Sequence, residues 1–260
     1  MKEEISYIIE EIGRVGVDIS EIQAEQFYDY YELLVERNKV MNLTAITDFK
    51  EVVKKHFADS LTLLRIHNMD EVRNMIDVGT GAGFPGIPLK IVCPDVKLTL
   101  LDSLGKRVKF LEDVAEKLDL RGVECVHSRT EDLAGNSYYR EQYDLVTARA
   151  VAAMNVLSEY CLPYVKIGGV FAAYKSGTLE EELAAAERAI YVLGGKVRAT
   201  EKFQLDDMGR SIVLIEKTRK TPKTPKTRKT RKTRKTRKTR TTRSQTRTPI
   251  NAPRKEKRNT

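Results

Sequence analysis

The sequence predicts an α/β fold: a seven-stranded, largely parallel, Rossmann-like sheet over residues 71–217, preceded by a helical region (1–70) and followed by a basic tail (218–260). Three observations carry this reading. From residue 72 short apolar runs alternate with helical stretches, as in βαβ units whose parallel strands are buried on both faces. A glycine-rich segment follows the first of these runs and opens a helix. At Lys217 the apolar residues give way to a charged repeat with a period of three.

The elements follow in chain order. Ile5, Ile8, Ile9, Ile12 and Val15 have the spacing of a helix with one buried face. Ser20 and Gln23 form a capping-box pattern, in which the serine oxygen accepts an orphan N–H and the glutamine side chain reaches back. Ile22, Phe27, Tyr30, Tyr31 and Leu34 then supply the inner face of a second helix. Asp48 and Glu51 repeat the cap ahead of Val52, Val53, Phe57, Leu61 and Leu64. Strands are expected near 74–78, 97–102, 123–127, 143–148, 169–174, 197–204 and 211–216, and helices near 86–92, 105–118, 152–164 and 178–193. Asp206, Asp207, Met208 and Gly209 predict a turn that joins the last two strands as an antiparallel hairpin.

The 260 residues suffice for one core of about 150–200 residues with chain to spare. The net charge of +9 is unevenly placed: residues 217–260 hold 20 of the 46 Lys and Arg against the single acid Glu256, a local charge of +19, which leaves −10 on residues 1–216. The folded body is therefore acidic, and the positive field belongs to the tail. That tail reads Lys-Thr-Pro from Lys220 and Lys223, then Lys-Thr-Arg five times from Lys226 to Arg240. It has too little apolar surface to offset its ordering entropy, so disorder is expected, and without glycine the period is not that of collagen. Cys93, Cys125 and Cys161 lack CxxC spacing and sit in apolar segments, which suits reduced thiols better than zinc or disulfides. From the acidic start no secretory signal is expected, and no stretch reaches the roughly 18 apolar residues of a membrane span. A cytoplasmic, metal-free protein without a membrane partner is expected.

The segment Asp77-Val-Gly-Thr-Gly-Ala-Gly-Phe-Pro-Gly86 concentrates the functional signal. Its glycines allow a sharp turn and close approach to a ligand, and the helix start beyond offers unpaired N–H groups. Asp102 ends the next strand, where its carboxylate can accept both hydroxyls of an adenosine ribose, so two strand-end acids flank a nucleoside crevice. Gly81, Gly83 and Gly86 also spell GxGxxG, so a nicotinamide-dependent Rossmann enzyme is an alternative. Against it, Pro85 has no N–H for a pyrophosphate, Phe84 is bulky, and no Tyr-x-x-x-Lys pair exists for hydride chemistry. A nonspecific RNA-binding protein acting through its tail is a third reading.

Seven segments standing in order carry a family resemblance: NLTAITD from Asn42, HFADSL from His56, MIDVGTGAGFPGIPLKI from Met75, LLDSLGKRVKFL from Leu100, RTEDL from Arg129, TARAVA from Thr147 and AYKSG from Ala173. Over residues 38 to about 216 the chain resembles ribosomal RNA small subunit methyltransferase G, the glucose-inhibited division protein B family. The resemblance implies a class I fold dependent on S-adenosylmethionine (SAM). It also implies methylation of N7 of one guanine in the decoding-region (helix 18) loop of 16S rRNA, free or within a small-subunit assembly intermediate. Carried over by position, Gly79 and Phe84 would line the SAM pocket, Thr130 and Glu131 would flank its adenine, and Arg149 would close it. Gly81 and Gly83 complete the loop, and Asp102 on the ribose is added from the residues themselves.

Guanine N7 has a free lone pair and no proton at neutral pH, so transfer needs positioning rather than a dedicated catalytic base. The sequence agrees, with no Asn/Asp-Pro-Pro-Tyr/Phe motif for exocyclic amines and no Pro-Cys nucleophile for pyrimidine C5. Arg149 and Lys175 are candidate substrate contacts or stabilisers beside the cofactor, since Arg or Lys reads N7 and O6; the alternative for each is a strand-end ion pair. Lys106 and Arg107 open a helix, where cations oppose the dipole; an RNA phosphate contact or a solvated helix start accounts for them. His56 and Asp59 lie one helical turn apart, either near the RNA or hydrogen-bonded within the fold, and no third ligand suggests a metal.

Overall fold

A computed structural model describes residues 2–149, 152–176, 179–205 and 208–222. Seven strands form one sheet: β1 (Asn74–Val78), β2 (Lys97–Asp102), β3 (Val123–His127), β4 (Tyr143–Arg149), β5 (Val165–Lys175), β6 (Gly195–Leu205) and β7 (Met208–Lys217). Their order is β3-β2-β1-β4-β5-β7-β6, with the first five parallel and β7 antiparallel to both β5 and β6. The order reverses between β1 and β4, and in open parallel sheets such a switch point leaves a crevice at the carboxyl ends of the strands. Asp102, Arg149 and Lys175 end their strands at that edge.

Both sheet faces are apolar because neighbouring residues of each central strand point opposite ways. Met75, Leu98, Leu100, Leu145 and Leu214 face one core; Ile76, Leu101, Val146, Phe171 and Val213 face the other. The second core is covered by α8 (Met154–Cys161) and α9 (Leu179–Val192). The first is covered by α5 (Gly86–Val92), α6 (Gly105–Lys117) and the amino-terminal helices, α1 (Lys2–Arg14) and α2 (Glu21–Met41). The amino-terminal helices therefore share a core with the sheet, and the chain through Pro222 is one compact unit. Polar side chains also fasten α2 down: Gln23 donates to the Ile91 carbonyl at 2.9 Å and Gln26 to that of Leu118 at 2.8 Å.

The capping box forms as expected, the Gln23 N–H donating to Ser20 Oγ and the Ser20 N–H to Gln23 Oε1. Two expectations for the helix faces do not hold. Ile22 is 70% exposed because it lies in the first turn of α2, before the helix meets the core, and Ile9 is exposed at the rim of the α1 stripe. Asp48 caps α3 (Phe49–Val52), but the Glu51 carboxylate pairs with Lys55 instead of reaching back. The helix then widens into a π-helical stretch over Val53–Ala58, tightens as α4 (Asp59–Leu61), and ends in a 3₁₀ turn over Thr62–Arg65.

The sheet expectations hold to within a few residues. The helix expected over 152–164 is shorter, as α8 gives way to a turn at Pro163, and β5 begins earlier, at Val165. The one-turn helix α7 (Thr130–Leu133) is too short to leave a periodic signal. Leu205 of β6 opposes Met208 of β7, as a hairpin requires; Asp206 and Asp207 lie outside the described residues. The first residues of the expected tail are fixed to the body. Thr221 is buried, its N–H donates to Glu141 at 2.8 Å and its hydroxyl to the Leu193 carbonyl at 2.8 Å, while Lys217 Nζ donates to the Leu162 carbonyl. The rest of the tail, 223–260, lies outside the described residues.

Candidate active site

The glycine loop leaves β1 at Val78 and is held by buried polar groups rather than by apolar packing alone. Asp77 is fully buried; one oxygen accepts from the Thr80 hydroxyl at 2.6 Å and the Gly86 N–H at 3.0 Å, the other from the Thr147 hydroxyl at 2.9 Å. Burial pushes its carboxyl up to about 6, against the downward pull of these bonds. Asp77 is thus the internal anchor of the loop, and of the two strand-end acids only Asp102 reaches the crevice. The loop N–H groups of Gly79 and Thr80 donate to the Leu101 carbonyl at 2.8 and 3.1 Å, tying the turn to the end of β2.

A cavity of about 440 Å³ opens over the ends of β1 and β2, lined by Gly79, Asp102, Thr130 and Glu131 together with Leu101 and Tyr160. Asp102 is nearly buried, with Oδ2 accepting from the Gly81 N–H at 3.0 Å and Oδ1 from the Leu104 N–H at 2.8 Å. Both oxygens keep a further lone pair, so a carboxylate fixed in this way can still accept ribose hydroxyls. The volume suits a nucleoside-sized ligand, and the lining joins apolar walls from Val78 and Leu101 to the carboxylates of Asp102 and Glu131, acceptors that an adenosine can use.

Other expected site residues fall elsewhere. Gly83 and Phe84 turn away from this cavity: a Cβ on Gly83 would meet Ile87 Cδ1 at 2.5 Å and Tyr30 Oη at 2.6 Å, and the Phe84 ring stacks on His56 with centroids 4.6 Å apart. Arg149 is drawn to the same side, its guanidinium 4.9 Å over Phe84 and Nη1 3.0 Å from Asp59 Oδ2. From the end of β4 it lines the cavity shared with His56 and Asp59 rather than the one beside Asp102. Arg107, expected at RNA, lines the 440 Å³ cavity with Nη1 3.6 Å from Asp102, while Lys106 is exposed. Lys175 is ion-paired to Glu182 at 2.6 Å and donates to the Ala152 carbonyl at 3.1 Å.

His56, Asp59, Arg149 and Lys175 meet around a second cavity of about 330 Å³, over the ends of β4 and β5, which Tyr174, Phe203 and Arg210 complete. The His56 ring is engaged at both nitrogens, with Nε2 2.8 Å from the Thr44 hydroxyl and Nδ1 3.1 Å from the Lys55 carbonyl. Burial, with Arg149 adding to it, pushes its imidazole down to about 4, so the ring is neutral near pH 7. Asp59 is buried between two cations, since its Oδ1 also accepts from Arg210 Nε at 3.1 Å. Sequence reasoning missed Arg210 and Tyr160, which lie far along the chain from their partners with no motif around them.

Comparison with known proteins resolves the choice among the readings. A family model described as rRNA small subunit methyltransferase G matches residues 23–213. The chain belongs to this family. Proteins named ribosomal RNA small subunit methyltransferase G include one from Lachnoclostridium phytofermentans, 47% identical over 82% of this chain and 89% of its own length. Another, from Alkaliphilus metalliredigens, is 50% identical over 79% of this chain and 87% of its own length. Among solved structures, a mutant of MtNAS in complex with S-adenosylmethionine aligns with a TM-score of 0.51 at 15% identity, over 76% of this chain and 77% of that one, a likeness of fold. The chain is therefore an S-adenosylmethionine-dependent methyltransferase of the methyltransferase G family, and the nicotinamide alternative falls. The fold agrees: an antiparallel β7 stands beside β5, where the dinucleotide-binding order continues with a parallel sixth strand.

Proposed function

We propose that this methyltransferase modifies N7 of one guanine in the helix 18 loop of 16S rRNA, in the cytoplasm, on free rRNA or a small-subunit assembly intermediate. SAM supplies an electrophilic methyl group carried on a sulfonium. Gly79, Asp102, Thr130 and Glu131 hold it in the larger cavity, with Asp102 on the ribose hydroxyls and Arg107 balancing that carboxylate.

The observation that carries the choice of N7 is the state of the titratable groups at the crevice. His56 is neutral with both nitrogens engaged, Asp59 is shared by Arg149 and Arg210, and Asp77 is spent inside the loop. None is placed to take a proton from an exocyclic amine or a ribose hydroxyl, and guanine N7 gives none up. The protein's contribution is then orientation and exclusion of water. No described helix is long and apolar enough to cross a membrane.

The test is to incubate the protein with labelled SAM and 16S rRNA, digest with nuclease, and identify the nucleoside and its position by mass spectrometry. The expected product is 7-methylguanosine at a single site. A methyl on an exocyclic amine or on ribose refutes the assignment.

A further inference from the structure

We infer that Tyr164 is a positioning residue for the cofactor: through Thr130 it holds the Glu131 carboxylate at the 440 Å³ cavity, where that carboxylate selects adenine by its exocyclic amine. This rests on the reading that SAM occupies that cavity with its adenine at Thr130 and Glu131, and adds to it what aims the turn and what the turn selects.

The turn needs an outside hold. Thr130 and Glu131 open α7, which is four residues long, and a single helical turn is not stable by itself, so tertiary contacts fix its place. Tyr164 supplies them from the second core. It is fully buried, its ring lies against Tyr143 with centroids 6.3 Å apart, and its own carbonyl accepts from the N–H groups of Gln142 and Tyr143 at 3.0 and 3.1 Å. From that base its hydroxyl donates to the Thr130 carbonyl at 2.6 Å and accepts from the Thr130 hydroxyl at 3.2 Å. Burial pushes the Tyr164 hydroxyl up, so it keeps the proton that it donates. The Thr130 hydroxyl also lies 3.4 Å from the Tyr160 carbonyl. Both polar groups of Thr130, hydroxyl and carbonyl, are thus turned into the wall, and Glu131, next in the chain and exposed, is the side chain that the turn presents to the cavity. Tyr160 lines the same cavity, and the Glu131 carboxylate beside it pushes its hydroxyl up, which puts that carboxylate at the rim between α7 and α8.

The placement makes the rim selective. An ionised carboxylate accepts hydrogen bonds and donates none. Of the two carboxylates in the cavity, Asp102 already accepts from the Gly81 and Leu104 N–H groups and gives its remaining lone pairs to the ribose, which leaves Glu131 for the base. Adenine carries the amine N6–H₂, a donor that a carboxylate takes. Hypoxanthine carries an oxygen in its place, so acceptor meets acceptor, and polar groups left unpaired in this way cost binding.

The experiment measures Kd by calorimetry for S-adenosylhomocysteine and S-inosylhomocysteine, in which a carbonyl, with a proton on N1, replaces the adenine amine. The parent protein should bind the adenosyl form about 10-fold more tightly, the worth of one hydrogen bond to a charged acceptor at a partly exposed site. In Glu131→Gln the ratio should fall toward one, since an amide pairs with either edge, and in Tyr164→Phe it should fall in the same direction. Tyr143→Phe is the control for general loosening. It is buried beside Tyr164, but its hydroxyl donates to Thr99 at 3.1 Å, so this variant should lower Tm and leave the ratio standing. If Tyr164→Phe does not fold, Thr130→Val, which removes the other hydrogen bond of the pair and leaves the core intact, carries the test. The inference is overturned if the ratio survives in Glu131→Gln or in the folded Tyr164 or Thr130 variant, or if Tyr143→Phe lowers it equally. An unchanged Kd for S-adenosylhomocysteine in Asp102→Asn overturns the cavity as the SAM site, and the role of Tyr164 with it.

Discussion

Gly81 and Gly83 stand two residues apart in the same loop, and the structure assigns them different tasks, so the same substitution should have unequal effects. Both have positive φ, +63° and +102°. An alanine Cβ at Gly81 would have only the Gly79 carbonyl near it, at 4.0 Å. Its cost is therefore the backbone strain alone, about 1–2 kcal/mol. At Gly83 the Cβ would lie 2.5 Å from Ile87 Cδ1 and 2.6 Å from Tyr30 Oη, and that hydroxyl donates to the Ala82 carbonyl from the floor of the core. Overpacking adds about 1–3 kcal/mol to the strain. For a body of this size each kcal/mol moves Tm by about 2–4 °C, so Gly83→Ala should melt roughly 2–12 °C below Gly81→Ala. Differential scanning calorimetry of the two variants without ligand measures the gap. Equal midpoints, or a lower one for Gly81→Ala, would show that Gly83 is not the packing glycine.

Three other consequences can be measured. Asp102→Asn should weaken SAM binding by about 10- to 150-fold, the loss of hydrogen bonds to a charged acceptor at about 1.5–3 kcal/mol, and calorimetry that returns an unchanged Kd removes Asp102 from the cofactor site. His56 has a folded pKa of about 4 against an ordinary 6.5, so the unfolded chain binds its proton first and the stability tied to the neutral ring is lost as pH falls from 6.5 toward 4. Asp77, raised to about 6, works in the opposite sense, gaining stability as pH falls through that value, so the comparison has to be between the parent and His56→Gln. The variant should show a smaller drop in Tm from pH 7 to pH 4.5; parallel curves would contradict the neutral, buried imidazole. Deleting residues 223–260 should leave the same guanine methylated while the slope of log affinity against log salt falls by ~0.7 for each phosphate of single-stranded RNA that the tail had neutralised. Methylation at a different nucleotide would show that the tail chooses the site.

The sheet is legible in the sequence because its signals are local. Strands buried on both faces leave continuous apolar runs, and those runs alone place all seven within a few residues. The proposed cofactor side is legible for a similar reason: Gly79 and Asp102 sit at the ends of neighbouring strands, where sequence marks the strand end and topology supplies the rest. Legibility ends where side-chain direction decides. Nothing in GTGAGFPG tells that Gly79 lines the 440 Å³ cavity while Gly83 and Phe84, a few residues on, face Tyr30 and His56. Sequence puts Arg107 and Arg149 each on the other's side of the glycine loop for the same reason. A strand end or helix start fixes where a Cα lies, but the nearest carboxylate fixes where a guanidinium goes, Asp102 for one and Asp59 for the other.

The second cavity is hidden by distance along the chain. Asp59 lies in the amino-terminal helical region and Arg210 in the last strand, 151 residues apart, and they meet because that region packs on the same sheet face as the core strands. A helical region that only covered the sheet could bury any apolar stripe. This one also places a carboxylate between two strand arginines, and the π-helical stretch just before Asp59 sets His56 against Phe84 within the same wall. The sheet thus supplies the 440 Å³ cavity, the proposed SAM site, from its own loops, while the 330 Å³ cavity takes Lys55, His56 and Asp59 from the amino-terminal helical region. Loosening the packing of that region should cost methyl transfer before it costs SAM binding. Tyr30→Phe is the mildest probe: it removes the hydrogen bond from α2 to the Ala82 carbonyl of the glycine loop while keeping the ring on Phe57. A variant that loses SAM affinity in step with activity would mean that the two cavities are not separately built.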